Sequence, residues 1–229
     1  MASTAIASPP AVSIRGWRQR LLAIVTLLFG TLLLTSCYVP NDFVAEIRLA
    51  RTGDYALTYK GTLTWAPLYK DIREGKLNSS EIAEREKGII NDLKRDSSFK
   101  EITPLGSGTF RVRYETSGKF NGTQAVTFVR RNSALLTVEV KPDGTVHIWC
   151  SQDPKLRDPT QLESLGLRTQ GRLRVVTDLP VLKHNAFKVS DGPASYPAFK
   201  VYDWSINSVR TPKPLLIGQL FNPASLPQE

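Results

Sequence analysis

The sequence predicts an α+β protein: a mostly antiparallel β-sheet with one main amphipathic helix, placed after an N-terminal signal peptide. Three observations predict it. Short alternating runs of apolar and polar residues recur from Phe43 to Val209, separated by Gly, Pro, Asn and Asp. One stretch near residues 78–93 switches to helical spacing. The first 36 residues differ from both. Arg15, Arg18 and Arg20 precede an uncharged apolar run, Leu21 to Leu34, which ends in small residues. That is the basic start, apolar middle and small-residue close of an exported chain. The run is about 14 residues, short of the ~20 that a helix needs to cross a bilayer.

Each element follows from its residues. Phe43 to Arg51 and Tyr55 to Thr64 flank Thr52-Gly53-Asp54 and read as a hairpin. Asn78 and Glu81 have the spacing of an N-cap and its third helical residue. Ile82, Ile89, Ile90 and Leu93 then form one stripe, with Glu84, Arg85, Lys87, Asp92 and Lys94 opposite, so this helix should lie on a sheet with one face wet. Phe110 to Tyr114 alternates strictly. Leu135 to Val140 and Thr145 to Trp149 flank the turn Lys141-Pro142-Asp143-Gly144. Pro159 to Leu167 reads as a short helix ending near Gly166. Arg172 to Val175, Val181 to Val189 and Phe199 to Val209 supply the later strands. After Arg210 come Pro212, Pro214, Pro223 and Pro227, a mostly irregular tail in which Leu215 to Ile217 could add an edge strand. The expected divisions are a signal over 1–36, a short tether over 37–41, a folded domain over 42–209 and a Pro-rich tail over 210–229.

Leu34-Thr35-Ser36-Cys37 resembles the lipobox of bacterial lipoproteins. The resemblance implies that Cys37 receives a diacylglycerol and becomes the new N-terminus. It places the protein in the bacterial cell envelope, outside the cytoplasm. Tyr38 follows the cysteine where an aspartate tends to mark inner-membrane retention, which favours the outer membrane in a Gram-negative source. The competing reading is an uncleaved membrane helix with Cys37 as its last residue. With Cys37 acylated, Cys150 has no intrachain partner, so no internal disulfide is expected.

Composition narrows the partners. Three of the 30 Lys+Arg residues lie in the first 36 and no acid does, which leaves 27 bases against 21 acids. An exported location argues against nucleic acid. Anionic lipid headgroups or another envelope protein fit better. Arg111 and Arg113, and Arg172 and Arg174, stand at alternate positions of two strands, so each pair points away from its apolar neighbours. If those strands lie close, they form a basic patch. Otherwise they are the wet face of a sheet.

Catalytic patterns are absent from the sequence. His147 and His184 are the two histidines, each without a second ligand at metal spacing. Gly106-Ser107-Gly108 lacks the lysine and helix of a phosphate loop. No catalytic residue, metal or cofactor is expected. Asp203 beside Trp204 could form part of a sugar site, although a strand Trp more often belongs to a core.

The C-terminal half has a further cadence: Val175-Val176-Thr177-Asp178-Leu179-Pro180, then His184-Asn185-Ala186, then Tyr202-Asp203-Trp204-Ser205-Ile206. It resembles the strand, Pro, Asn-small and aromatic-Trp pattern of LppM-type envelope lipoproteins, over about Val39 to Ile217. That resemblance implies an α+β envelope domain, with no catalytic residues to carry over. The expected function is a lipid-anchored, non-catalytic binding or assembly module near the membrane surface. The alternative is an anchored enzyme acting on envelope glycans or lipids.

Overall fold

A computed structural model describes residues 38–129, 134–150 and 159–221. The signal, the lipobox residues Leu34, Thr35 and Ser36, and the attachment residue Cys37 lie outside the described residues. Within them the chain is mixed α+β, dominated by strands.

Two sheets pack face to face. The seven-stranded sheet has the order β10-β11-β8-β1-β2-β4-β3. Its strands are β1 (Tyr38–Leu49), β2 (Asp54–Trp65), β3 (Phe99–Gly106), β4 (Thr109–Lys119), β8 (Gly171–Thr177), β10 (Lys188–Asp191) and β11 (Lys200–Ile206). The five-stranded sheet has the order β5-β6-β7-β12-β9. It contains β5 (Ala125–Phe128), β6 (Leu136–Val140), β7 (Thr145–Cys150), β9 (Val181–His184) and β12 (Leu215–Gln219). Pairing is antiparallel except between β1 and β8, which run parallel from Phe43↔Gly171 to Leu49↔Thr177.

Alternation explains the packing. Ala45, Ile47, Leu49, Leu57, Tyr59, Val112, Tyr114, Leu173 and Val175 point inward from the larger sheet and meet Leu136, Val138, Val140, Val146, Ile148 and Leu216 of the smaller one. Phe128 connects the layers, its ring 4.4 Å from that of Tyr59 and 4.9 Å from that of Tyr114. A bulge at Asn41–Val44 turns Phe43 inward onto the Tyr59 ring, 5.5 Å away. Its neighbours across the ladder are Gly61 and Gly171, where any Cβ would collide with Phe43. This close approach needs both glycines.

Among the described residues three helices sit beside the sheets: α1 (Ala66–Arg73), α2 (Ser79–Leu93) and α3 (Pro159–Ser164). The expected capping box is present on α2. Asn78 Oδ1 accepts from Ser80 N and Glu81 N, and Glu81 Oε2 accepts from Asn78 N. The helix is wetter than its stripe suggests. Leu93 alone is fully buried, with Ile89 and Ile90 half-buried against the core, because α2 packs beside the exposed edge strand β3. The sequence reading missed α1, although Pro67 just inside its start is a recognised signal. A second small core forms from Val39, Ala66, Leu162, Leu167 and Val209.

Three expectations change. Tyr38 to Asn41 is not a tether: β1 begins at Tyr38, which pairs with Trp65, and both Tyr38 and Val39 are buried. The described part of the segment after Arg210 is not a loose tail either, since Leu215–Gln219 lies between β7 and β9 as an interior strand, while residues 222–229 lie outside the described residues. Domain limits of 42 and 209 therefore cut through packed structure. Third, Val181 to Val189 is two strands in different sheets. Asn185 makes the crossing: its Oδ1 accepts from Trp204 Nε1 and Leu215 N, both at 2.8 Å, and its Nδ2 donates to the Lys213 carbonyl. Trp204 is core, as expected of a strand Trp, which removes it from any sugar-stacking surface.

Candidate functional site

The outward face of the seven-stranded sheet carries the chemistry. Register settles which side chains share it. Val44 lies opposite Arg172 on β8 and Lys60 on β2, and Lys60 lies opposite Arg113 on β4. Glu46 lies opposite Arg174 and Thr58, and Thr62 lies opposite Arg111. Because partners across a ladder project to the same side, Arg111, Arg113, Arg172 and Arg174 share one face. The two pairs are not adjacent. β1 and β2 separate β8 from β4, a span of about 14 Å at the usual strand spacing. Arg48 and Lys60 occupy the intervening strands, and Val44, 60% exposed, stands among them.

Much of this charge is balanced locally. Asp203 on β11, only 6% exposed, receives Arg172 Nε at 3.0 Å and an Arg172 terminal nitrogen at 2.8 Å, together with Arg174 Nε at 3.1 Å. Burial alone would raise the Asp203 pKa. The hydrogen bonds and charges of the two guanidiniums outweigh it and hold the carboxyl below its ordinary value. Arg113 pairs with Glu101 and Glu115, and hydrogen bonds to these two raise its pKa further. Glu46 takes Arg48 at 2.7 Å and lies 3.9 Å from Arg174. Among the described residues, Lys60 and Arg111 carry no ion pair. They lie diagonally across the β2/β4 ladder, so the face keeps a local positive excess there.

At the hairpin end the same face holds a groove of about 540 Å³. Ala50, Ala56, Val176 and Val201 line it together with Glu46, Arg48, Asp54 and Arg174. The segment Gly192–Phe199 arches beside it and contributes Pro193, Tyr196 and Phe199. Gly192 N donates to the Phe199 carbonyl at 2.8 Å, and Lys200 Nζ donates to Asp191, so the arch is pinned at its neck. Nothing in the local sequence marks this groove. It forms because strands far apart in the chain place small residues side by side.

The other sequence candidates are scattered. His147 contacts Thr145 Oγ1 at 3.1 Å, and His184 accepts from Ala186 N while its ring edge meets Tyr202 at 5.0 Å. They stand on β7 and β9, with β12 between. Cys150 lines a separate apolar cavity of about 40 Å³ between the sheets, along with Phe43, Tyr59 and Phe128. Burial first, and then the nearby Asp42 charge, raises the Tyr59 pKa well above its ordinary value, which keeps that phenol neutral. Glu81 and Glu86 bond backbone N–H groups, at Asn78 and Gly108. Among the described residues no group of three or more His, Cys, Asp or Glu side chains is placed to hold a metal ion. No described helix is long and apolar enough to cross a membrane.

Fold and site thus define a two-sheet α+β protein with a polar, partly cationic sheet face. No family model matches the chain, and no curated protein does. Among solved structures, the folded domain of LppM from Mycobacterium tuberculosis is similar at a TM-score of 0.38 and 10% identity, covering 85% of this chain and 98% of that one. At that likeness no residue role passes from one chain to the other.

Proposed function

We propose that the protein is a lipid-anchored bacterial envelope protein, a non-catalytic binding or assembly module that meets an anionic membrane surface through the outward face of its seven-stranded sheet. One observation carries this reading: five arginines, Arg48 among them, and Lys60 share that face, and Lys60 and Arg111 carry no acidic partner among the described residues. Exposed Val44 between them offers a small apolar contact. The lipobox-like Leu34-Thr35-Ser36-Cys37 supports an acyl anchor at Cys37, and β1 starts at the next residue. A domain joined to its anchor without a spacer keeps headgroups at high effective concentration, so a feeble contact suffices.

Two measurements test the proposal. A palmitate analogue should label the wild-type chain and not Cys37→Ser. Vesicle binding by the Cys37→Ser chain should require anionic lipid and fade as salt shortens the Debye length. Each basic side chain near such a surface contributes about 1 kcal/mol, so Lys60→Ala with Arg111→Ala should weaken binding by about thirtyfold at low salt. Equal labelling of both chains would discard the anchor. Binding indifferent to lipid charge, or to these substitutions, would discard the face.

A further inference from the structure

We propose that the groove beside the Gly192–Phe199 arch is a binding site for an uncharged, mostly apolar, ring-bearing small molecule with a carbonyl or hydroxyl acceptor. Its size comes first. About 540 Å³ lies within the range of small-molecule sites and far exceeds what one or two waters need. Shape comes next. Val176 and Val201 are direct partners across the β8/β11 ladder and give a small, flat apolar floor, while Arg48 of β1 stands between Val176 and Ala56 in the same row. Phe199 stands beside that floor, and Tyr196, 63% exposed, has its ring centroid 6.0 Å from the Phe199 ring at an interplanar angle of 78°. A flat floor beside standing rings accommodates a planar body better than a branched one.

The rim selects the polar part. Arg48 and Arg174 are matched by Glu46 and Asp54, so a ligand with net charge gains no attraction at this site. Arg48, its side chain 71% exposed, uses Nε on Glu46, which leaves its terminal N–H groups outside that contact within the groove. Such donors receive a carbonyl or hydroxyl oxygen. The site is separate from the Lys60/Arg111 excess, since neither residue lines it.

Benzophenone, an uncharged diaryl ketone, serves as the probe. On irradiation its carbonyl carbon bonds to a nearby carbon while its oxygen gains that carbon's hydrogen, so labelled peptides report where it sat. The full chain in nonionic detergent should carry label mainly on the segments 174–176 and 193–201. Phe187 and Leu182, exposed apolar residues outside the groove, give the background. Val201→Trp, which fills the floor, should cut groove labelling by about tenfold. Tyr196→Ala lies at the exposed arch and leaves the sheet intact, so it should cut labelling several-fold without changing the melting temperature. Benzophenone-4-carboxylate should label less than the neutral ketone. Label spread evenly over exposed apolar side chains would overturn the proposal. So would labelling unchanged in Tyr196→Ala, or preferential labelling by the carboxylate.

Discussion

Asp203→Asn offers the sharpest test of the charge arrangement on the outer face. The native carboxylate receives three guanidinium hydrogen bonds of 2.8 to 3.1 Å while only 6% exposed. Each charge-assisted bond contributes about 1.5–3 kcal/mol when shielded. Arg172 and Arg174 keep 48% and 36% of their side-chain surface in solvent, and exposed pairs contribute only about 0–1 kcal/mol. Between those limits, the substitution should cost about 2–3 kcal/mol in total. For a chain of this length that lowers the melting temperature by about 4–12 °C. The sign of its pH dependence follows from the depressed pKa. The wild type gains this stabilisation above the unfolded carboxylate value, near 3.9, and loses it as pH falls through the lower folded value. Asparagine does not titrate there. Urea unfolding of both chains should therefore show a full gap at neutral pH and a closing gap in acid. A neutral-pH gap under about 1 kcal/mol, or one that persists unchanged in acid, would refute the account.

Two further predictions concern the segments that the structure places inside the fold. Asn185→Ala removes three hydrogen bonds that connect β11, β12 and the sheet crossing, and should cost about 1–3 kcal/mol with a red shift of Trp204 emission. Unchanged emission and stability would mean that water replaces all three. A chain begun at Asn41 loses the Tyr38–Trp65 ring contact at 4.8 Å and the buried Val39, and should be about 3–5 kcal/mol less stable than one begun at Tyr38. A chain ended at residue 209 loses Leu216 and the interior strand β12, and should show no cooperative unfolding transition by circular dichroism.

Local signals were legible in the sequence, and the elements they specify are the ones recovered most closely. The hairpin of β1 and β2 rests on Thr52-Gly53-Asp54, with Gly53 at φ +87°, and the α2 cap rests on Asn78 and Glu81. The Lys141–Gly144 turn likewise places Gly144 at φ +75°. Choices made by distant partners were not legible. Pro212 and Pro214 suggest a tail, yet β12 earns its interior place from β7 and β9, which no local pattern announces. Val181 to Val189 reads as one strand because its break depends on Trp204 and Leu215 reaching Asn185. The shared face of the four arginines was half legible: alternation gave the direction of each pair, while strand order set the separation. The acids that balance them, Asp203 above all, come from neighbouring strands and carry no signature in the arginine segments. The groove had no signal, since its lining residues come together only across the sheet.

The position of β1 bears on how the domain would respond to being pulled. It is an interior strand, bonded to β2 along one side and to β8 along the other, and its first residue is Tyr38. A load applied at Tyr38 along the strand must shear both ladders together, instead of opening one bond after another as it would from an edge. The resistance of such an arrangement is set by the rate of unfolding and not by the equilibrium stability. A drag at that end would thus be resisted by both ladders, while the arch and groove stand at the opposite end of the same strand.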